Sequence, residues 1–380
     1  MSTLKVDGIR SNSATSDAIT LASNGTCTAN ITNNLSNRNK IINGAMAVSQ
    51  RQTSRTGTGG GDGYFLCDRW RIFSANTSAR FTISQATDTS GAEGFPNSFK
   101  FDCTTADTSL AASDFLGIQQ KIEGQNVQDF LKGTSNAKKF TLSFYVKTNK
   151  LGVYTVELRD NDNSRQCSKT FTVANTNWNR YTLSYPADTT GVIDNNNGDS
   201  LQVNFWLIAG STYTGGTLNS SGWASQTNAN RVSSSNVNIG DSTDNNFELT
   251  GVQLEVDQTG SGVATDFEHR SFHDELLKCY RYFNKKNPGY GRIGHMYSGS
   301  NLAFTMDLPC EMRASPTITN EGGLYFARQN GVSIGLTGIA HGSADTTTAR
   351  VSLAANSNVT TGEDAFIWSG NTFYLLDSEL

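Results

Sequence analysis

The sequence predicts an all-β chain with an extended N-terminal arm (1–38), a jelly-roll β-sandwich (39–271), a short linking helix (272–284) and a smaller C-terminal β domain (285–380). Three observations predict it. Apolar residues alternate with polar ones over many short runs, which is the period of a half-buried strand. Turn-forming clusters such as Asp160-Asn161-Asp162-Asn163 and Asp194 to Gly198 separate those runs. Long helical periods are missing between them, which excludes a parallel sheet with crossover helices. Charged residues make up only 17% of the 380, and 36 glycines stand against five prolines, a composition suited to a many-turned β protein.

The arm comes first. Residues up to Gly63 include no aromatic side chain, so 1–38 cannot build a core of its own. Its short β-like patches, Leu4 to Ile9, Ala18 to Leu21 and Thr26 to Ile31, suit edge pairing with neighbours and an anchoring role, the other reading being a floppy tail. The sandwich follows. Phe140, Leu142, Phe144 and Val146 share one strand face, as do Tyr154, Val156 and Leu158, and Leu201, Val203, Phe205 and Leu207; Phe171 to Val173 and Trp178 to Tyr185 complete the set.

At its end, even-numbered Val252, Leu254 and Val256 continue a strand opened by odd-numbered Phe247 and Leu249. That change of parity predicts a β-bulge near Gly251. Ser271 with Asp274 then matches a capping box, and Leu276, Leu277, Tyr280 and Phe283 recur at helical spacing. Beyond the helix, Leu302, Phe304 and Met306 alternate, and 365–369 with 372–376 read as a hairpin around Gly370.

Several function classes are disfavoured. A net charge of −4 without a basic stripe argues against nucleic acid. No apolar run is long enough to span a bilayer, and a signal peptide is not evident, so no membrane insertion is expected. Six scattered cysteines (27, 67, 103, 167, 279 and 310) read as reduced, mostly buried thiols, neither a zinc site nor a disulfide framework. Four histidines without a nucleophile motif frame no catalytic triad, and His269 and His273 are split by the helix cap. The Asp-rich turns at 160–162 and 194–199 carry hard oxygens suited to calcium but lack the spacing of an EF loop, and Asx turns account for them. No catalytic set, metal site or cofactor is therefore assigned. Aromatics remain: Trp178, Trp206, Tyr213 and Trp223 lie on a strand face or in polar loops, where exposed rings stack on sugars. The competing reading packs them between sheets or subunits.

A family resemblance adds to this. Residues Phe247 to Phe283 contain Gly-Val-Gln-Leu-Glu (251–255), then Thr265-x-Phe267-Glu268-x-Arg270 and Leu276-x-x-Cys279-x-Arg281-Tyr282. This run resembles a recurrent stretch of bacteriophage tail-fibre and related virion fibre proteins, departing from it at Asp257, where glycine is more usual. Asn39 to Met46, Gln50-Arg51, Asp68-Arg69-Trp70, Met312 to Pro316 and the opening Ser2 to Ile9 resemble other phrases of such fibres. The strand phrases from Phe140, Gly152, Asn177 and Leu201 are similar to jelly-roll carbohydrate-binding modules. The resemblance implies a virion structural protein, a tail fibre assembled in the host cytoplasm. It would attach to other virion proteins through 1–38, associate as a homotrimer and bind host-surface glycan without chemistry. A head-attached fibre or decoration protein, or a capsule-degrading enzyme, is the alternative.

Overall fold

The computed structural model describes residues 5–13, 15, 17–29, 36–87, 94–257, 260–287, 290–322, 325–355, 360–369 and 373–380. In the arm, β1 (Gly8–Ile9), β2 (Ile19–Leu21) and β3 (Cys27–Ala29) form an antiparallel meander. None of the described residues from 5 to 27 is buried, as expected of a segment without aromatics.

The sandwich is built from β4 (Ser54–Thr58), β5 (Gly63–Tyr64), β6 (Arg71–Ala75), β7 (Arg80–Ala86), β8 (Ser98–Thr105), β9 (Phe115–Glu123) and β10 (Phe140–Thr148). It continues with β11 (Gly152–Asp160), β12 (Arg165–Val173), β13 (Asn179–Tyr185), β14 (Asp199–Ala209), β15 (Ala224–Ser225) and β16 (Asn246–Val256). One sheet has the order β13-β10-β16-β8-β7-β4 and the facing one β15-β12-β11-β14-β9-β6-β5. All the pairings are antiparallel, and the chain passes repeatedly between the layers, as a jelly roll requires. The inward faces meet in one apolar core in which Phe144 sets its ring edge-on to Phe205 at 5.0 Å and Trp70 packs beside Phe205.

The bulge expected near Gly251 is present. Gln253 faces Ser143 while Thr250 faces Tyr145, so one extra residue is inserted opposite Phe144. Gly251 has φ +61°, and a Cβ there would lie 2.6 Å from the Phe95 ring, which is why glycine occupies the site.

The helix expected over 272–284 runs over Phe272–Tyr280 (α2; α1 is the single turn Ser211–Thr214). Ser271 caps α2 by accepting from the Asp274 amide. Its apolar stripe does not extend to Phe283, which opens β17 (Phe283–Lys286) by pairing with Asp377. The face turned inward carries Glu275 and Cys279, while Leu277 is exposed. Tertiary pairing overrides helical spacing here.

The C-terminal part comprises β18 (Tyr290–Ser298), β19 (Asn301–Asp307), β20 (Thr317–Glu321), β21 (Tyr325–Gln329), β22 (Val332–Ala344), β23 (Thr348–Ala355), β24 (Asp364–Ser369) and β25 (Phe373–Asp377). Six of these close a barrel in the order β18-β19-β23-β22-β21-β24, and β17-β25-β20 form a small sheet beside it. The hairpin expected from 365–369 and 372–376 is not formed: β24 pairs with β18 and β21 in the barrel, whereas β25 pairs with β17 and β20. Barrel closure uses both edges of β24, leaving none for β25.

The seam around 247–283 is held by charged side chains on main chain. Glu268 accepts from the Asn37 and Asn39 amides, Glu275 from the Asn43 amide, and Arg270 donates to the Asn39 and Ile41 carbonyls. The Thr-x-Phe-Glu-x-Arg phrase is thus a clamp on the entering segment 37–43. His269 packs against Phe95 and Phe267, outside the helix. All six cysteines are free thiols, four of them buried.

Candidate functional site

The inward residues of the seven-stranded sheet make the core, so its outward residues define a second surface. Strand register arranges them in three rows. The first runs Gln166, Arg159, Gln202, Lys121; the second Ser168, Glu157, Asn204, Gln119, Arg71; the third Thr170, Thr155, Trp206, Gly117, Phe73. Because side chains alternate faces along each strand, each row crosses the sheet as one continuous line.

The third row is aromatic and covered. The segment 210–239 folds back over it, so Trp206 is 1% exposed, edge-on to Phe73 at 5.1 Å and beside Tyr213 at 5.3 Å, with the Arg231 guanidinium 4.8 Å from its ring. Gly117 makes the space: a Cβ there would lie 2.5 Å from the Phe73 ring. Trp206 Nε1 donates to Glu157 Oε2 at 3.1 Å, which satisfies the buried indole. The exposed stacking face expected of Trp206 is therefore absent.

Tyr213 is half-buried in the same cluster, edge-on to Phe115 at 5.2 Å. Trp223 belongs elsewhere: its Nε1 donates to the Pro186 carbonyl, its ring meets Phe140 edge-on, and Lys132 Nζ lies 4.6 Å from the ring centre. Trp178 is half-buried ahead of β13, with its Nε1 buried and without a partner among the described residues. Of the four aromatics predicted to bind ligand, the structure brings together Trp206 and Tyr213 and leaves Trp223 and Trp178 outside that contact.

The second row is a hydrogen-bonded relay. Asp62 accepts from Arg71 at 2.5 Å, Arg71 donates to Gln119 Oε1 at 2.9 Å, and Gln119 Nε2 donates to Asn204 at 2.9 Å and to Gln202 at 3.1 Å. Asn204 donates to Glu157, and Arg231 closes the line with two bonds to Glu157, at 2.8 and 2.9 Å. Such a chain fixes every amide orientation, so the floor of this face is preorganised.

The first row, in which Gln166 and Gln202 are buried and Arg159 and Lys121 half-buried, keeps spare capacity. Gln202 Nε2 donates to Asp199 Oδ2 at 2.7 Å, and Lys121 Nζ lies 3.1 Å from the same oxygen, but Asp199 Oδ1 has no partner among the described residues. Arg159 reaches Gln202 only at 3.5 Å, and its Nε is buried without a partner. Burial, then the charge of nearby Arg231, lowers the pKa of Arg159 from its ordinary value. Arg159, Lys121 and Asp199 are half-buried, so they are the groups of this face able to offer donors and acceptors to a polyhydroxyl ligand, held in place by the buried amides beside them.

Sequence reasoning missed this row. The signal was there in the polar residues interleaved through the buried strands, Gln119 and Lys121, Arg159, and Gln202 and Asn204, but the same pattern marks any solvated sheet face. Among the described residues no group of three or more His, Cys, Asp and Glu is placed to hold a metal ion, and no helix is long and apolar enough to cross a membrane.

No protein-family model matches the sequence, and no curated protein matches it. Among solved structures, the chain is similar to the enzymatically active domain of tailspike protein 4 of bacteriophage CBA120, at 12% identity and a TM-score of 0.30 over 58% of this chain and 21% of that one. It is similar to the family 11 carbohydrate-binding module of a Clostridium thermocellum cellulase, at 12% identity and a TM-score of 0.26 over 52% and 96% of the two chains. It is similar also to TmCBM61 in complex with β-1,4-galactotriose, at 10% identity and a TM-score of 0.28 over 58% and 99%.

Proposed function

We propose that the chain is a glycan-binding structural protein of a bacteriophage virion, a tail fibre whose residues 1–38 join it to other virion proteins and whose sandwich holds sugar without covalent chemistry. The observation that carries the binding role is the rim of Arg159, Gln202, Lys121 and Asp199 on a fixed amide floor. Four strands about 4.8 Å apart make a line of roughly 14 Å, suited to a short oligosaccharide. Hydroxyls would exchange hydrogen bonds with the half-buried Arg159, Lys121 and Asp199, and weak single contacts would gain avidity from several copies in a fibre. The phage assignment is supported by the resemblance carried by 247–283. Its clamp structure explains why a fibre would need those residues: they fix the entering segment 37–43 to the sandwich and the helix.

The non-catalytic reading is supported by how the carboxylates of this face are used. Glu157 is held by both Arg231 nitrogens, Asn204 and Trp206, and Asp199 pairs with Lys121. Neither is poised as the proton donor that glycoside cleavage requires. Titration calorimetry against neutral capsular oligosaccharides tests the site. Arg159→Ala, which removes no buried ion pair, is expected to fold normally and lower affinity about tenfold to a hundredfold, the worth of one or two hydrogen bonds to a charged group. Unchanged affinity in the variant, or new reducing ends released from the polysaccharide, would refute the reading. The fibre assignment carries its own expectation: native mass measurement of the full chain should give a trimer, and a stable monomer would count against it.

A further inference from the structure

A second polar cavity, of about 410 Å³, opens at the seam between the entering segment 37–42, the turn Gly124–Asn126 and the end of α2. That volume is in the range of small-ligand sites, about 300–1,000 Å³. Four cations line it, Lys40, Arg270, Lys278 and Arg281, together with amides such as Asn39 and Asn126, and no carboxylate does. The anions that partner these cations sit outside the lining: Asp129 is 2.8 Å from Lys40, Glu123 is 2.8 Å from Arg281, and Glu268 and Glu275 are each 3.6 Å from Arg270.

Two donors stay uncommitted. Lys278 makes no ion pair among the described residues, and Arg270, whose side chain is 8% exposed, has its Nε buried without a partner. Burial, then the charge of Arg270, lowers the Lys278 pKa, as expected of an ammonium drawn into the cavity wall without an ion pair of its own. A carboxylate entering there would meet the unpaired Lys278 ammonium, while the exposed Asn126 amide would receive ring hydroxyls.

We propose that this cavity binds the carboxylate of an acidic sugar, a hexuronic acid unit of a surface polysaccharide, as a site separate from the open sheet face. The proposal rests on the glycan-binding reading but uses different residues, so the two can fail separately. Titrate the full chain with galacturonic acid, galactose and inorganic phosphate, and repeat with Lys278→Gln and with Arg159→Ala. Expected are saturable binding of galacturonic acid, at least tenfold weaker in Lys278→Gln and unchanged in Arg159→Ala, and no comparable binding of galactose or phosphate. Lys278 is half-buried on α2 without an ion pair among the described residues, so the variant should keep close to the wild-type melting temperature, and thermal melting checks that it does. Galacturonic acid binding that ignores Lys278→Gln, phosphate binding as tight as the uronate, or no saturation at all would overturn the proposal. Loss of galacturonic acid binding in Arg159→Ala would assign the acid to the sheet face instead and equally overturn it.

Discussion

Lys132→Ala is expected to lower the melting temperature of the sandwich by on the order of 10 °C, an effect of about 3–5 kcal/mol at 2–4 °C per kcal/mol for a domain of this size. The Lys132 ammonium is wholly buried between Asp160, itself 0% exposed, and Asp188, at 2.8 Å, and also donates to the Gly191 carbonyl at 3.1 Å. Arg165 adds two bonds to Asp188, at 2.7 and 3.0 Å, and Asn163 binds both Asp160 oxygens. Removing the ammonium leaves Asp160, a buried carboxylate, without a cation. That is the costly half of a buried ion pair, since the charge that remains can neither be solvated nor neutralised without work.

The pH dependence follows from Asp188. Burial pushes its pKa up, but the hydrogen bonds from Arg165 and Lys132 outweigh burial and hold the carboxyl well below the usual range. A folded-state value below the unfolded one, near 3.9, means this contribution is in full above about pH 4 and is lost as pH falls further. The gap in melting temperature between wild type and Lys132→Ala should therefore narrow from pH 7 to pH 3. A triple variant, Lys132→Met with Asp160→Asn and Asp188→Asn, should recover much of the loss, because exchanging a whole buried cluster costs less than breaking it. A single variant as stable as wild type, or a gap that widens in acid, would sink this account.

What could be read in advance depended on how far apart the interacting residues lie in the chain. Strands such as Phe140–Thr148 and Asp199–Ala209 were legible because side-chain alternation is a local property, and the bulge at Gly251 because a parity change is local too. The capping of α2 by Ser271 is written in four consecutive residues. By contrast, Lys132 meets partners 28 and 56 positions away, and nothing near it in sequence marks it as different from a surface lysine. The Glu157 and Arg231 pair spans 74 positions. Trp206 looked like an exposed ring because its strand alternates, and only the return of 210–239 over that face buries it. The row of Arg159 and Gln202 had the opposite problem, since polar side chains alternating along a strand read as an ordinary solvated face whether or not they end up buried, as Gln202 does.

Arg69→Met is expected to uncouple the barrel-bearing part from the sandwich, with a stability loss of similar size, about 3–5 kcal/mol, expressed at the seam. Arg69 is 1% exposed and sits in left-handed backbone, φ +70°, which aims it across the joint. Its guanidinium pairs with Glu379, donates to the Lys121 carbonyl at 2.7 Å, and stacks 3.5 Å from the centre of the Tyr282 ring. One side chain thereby ties β9 of the sandwich to the turn after α2 and to the segment after β25. Methionine fills the volume but supplies no charge, so Glu379, 4% exposed, keeps only the weaker bonds from Arg51 at 3.4 and 3.5 Å. Other links remain: Arg281 bonds Glu123 through two nitrogens at 2.8 Å, and Arg313 holds the Ser378 and Glu379 carbonyls. The parts should therefore stay folded but separate more readily. Calorimetry of wild type should show the seam melting with the sandwich, and Arg69→Met should show an added transition at lower temperature. Adding Glu379→Gln should restore part of the loss, and the shortfall from additivity measures the pair itself. If Arg69→Met melts in a single transition at the wild-type temperature, the joint does not depend on this ion pair, and the bonds of Arg281 to Glu123 and of Arg313 to the Ser378 and Glu379 carbonyls carry it.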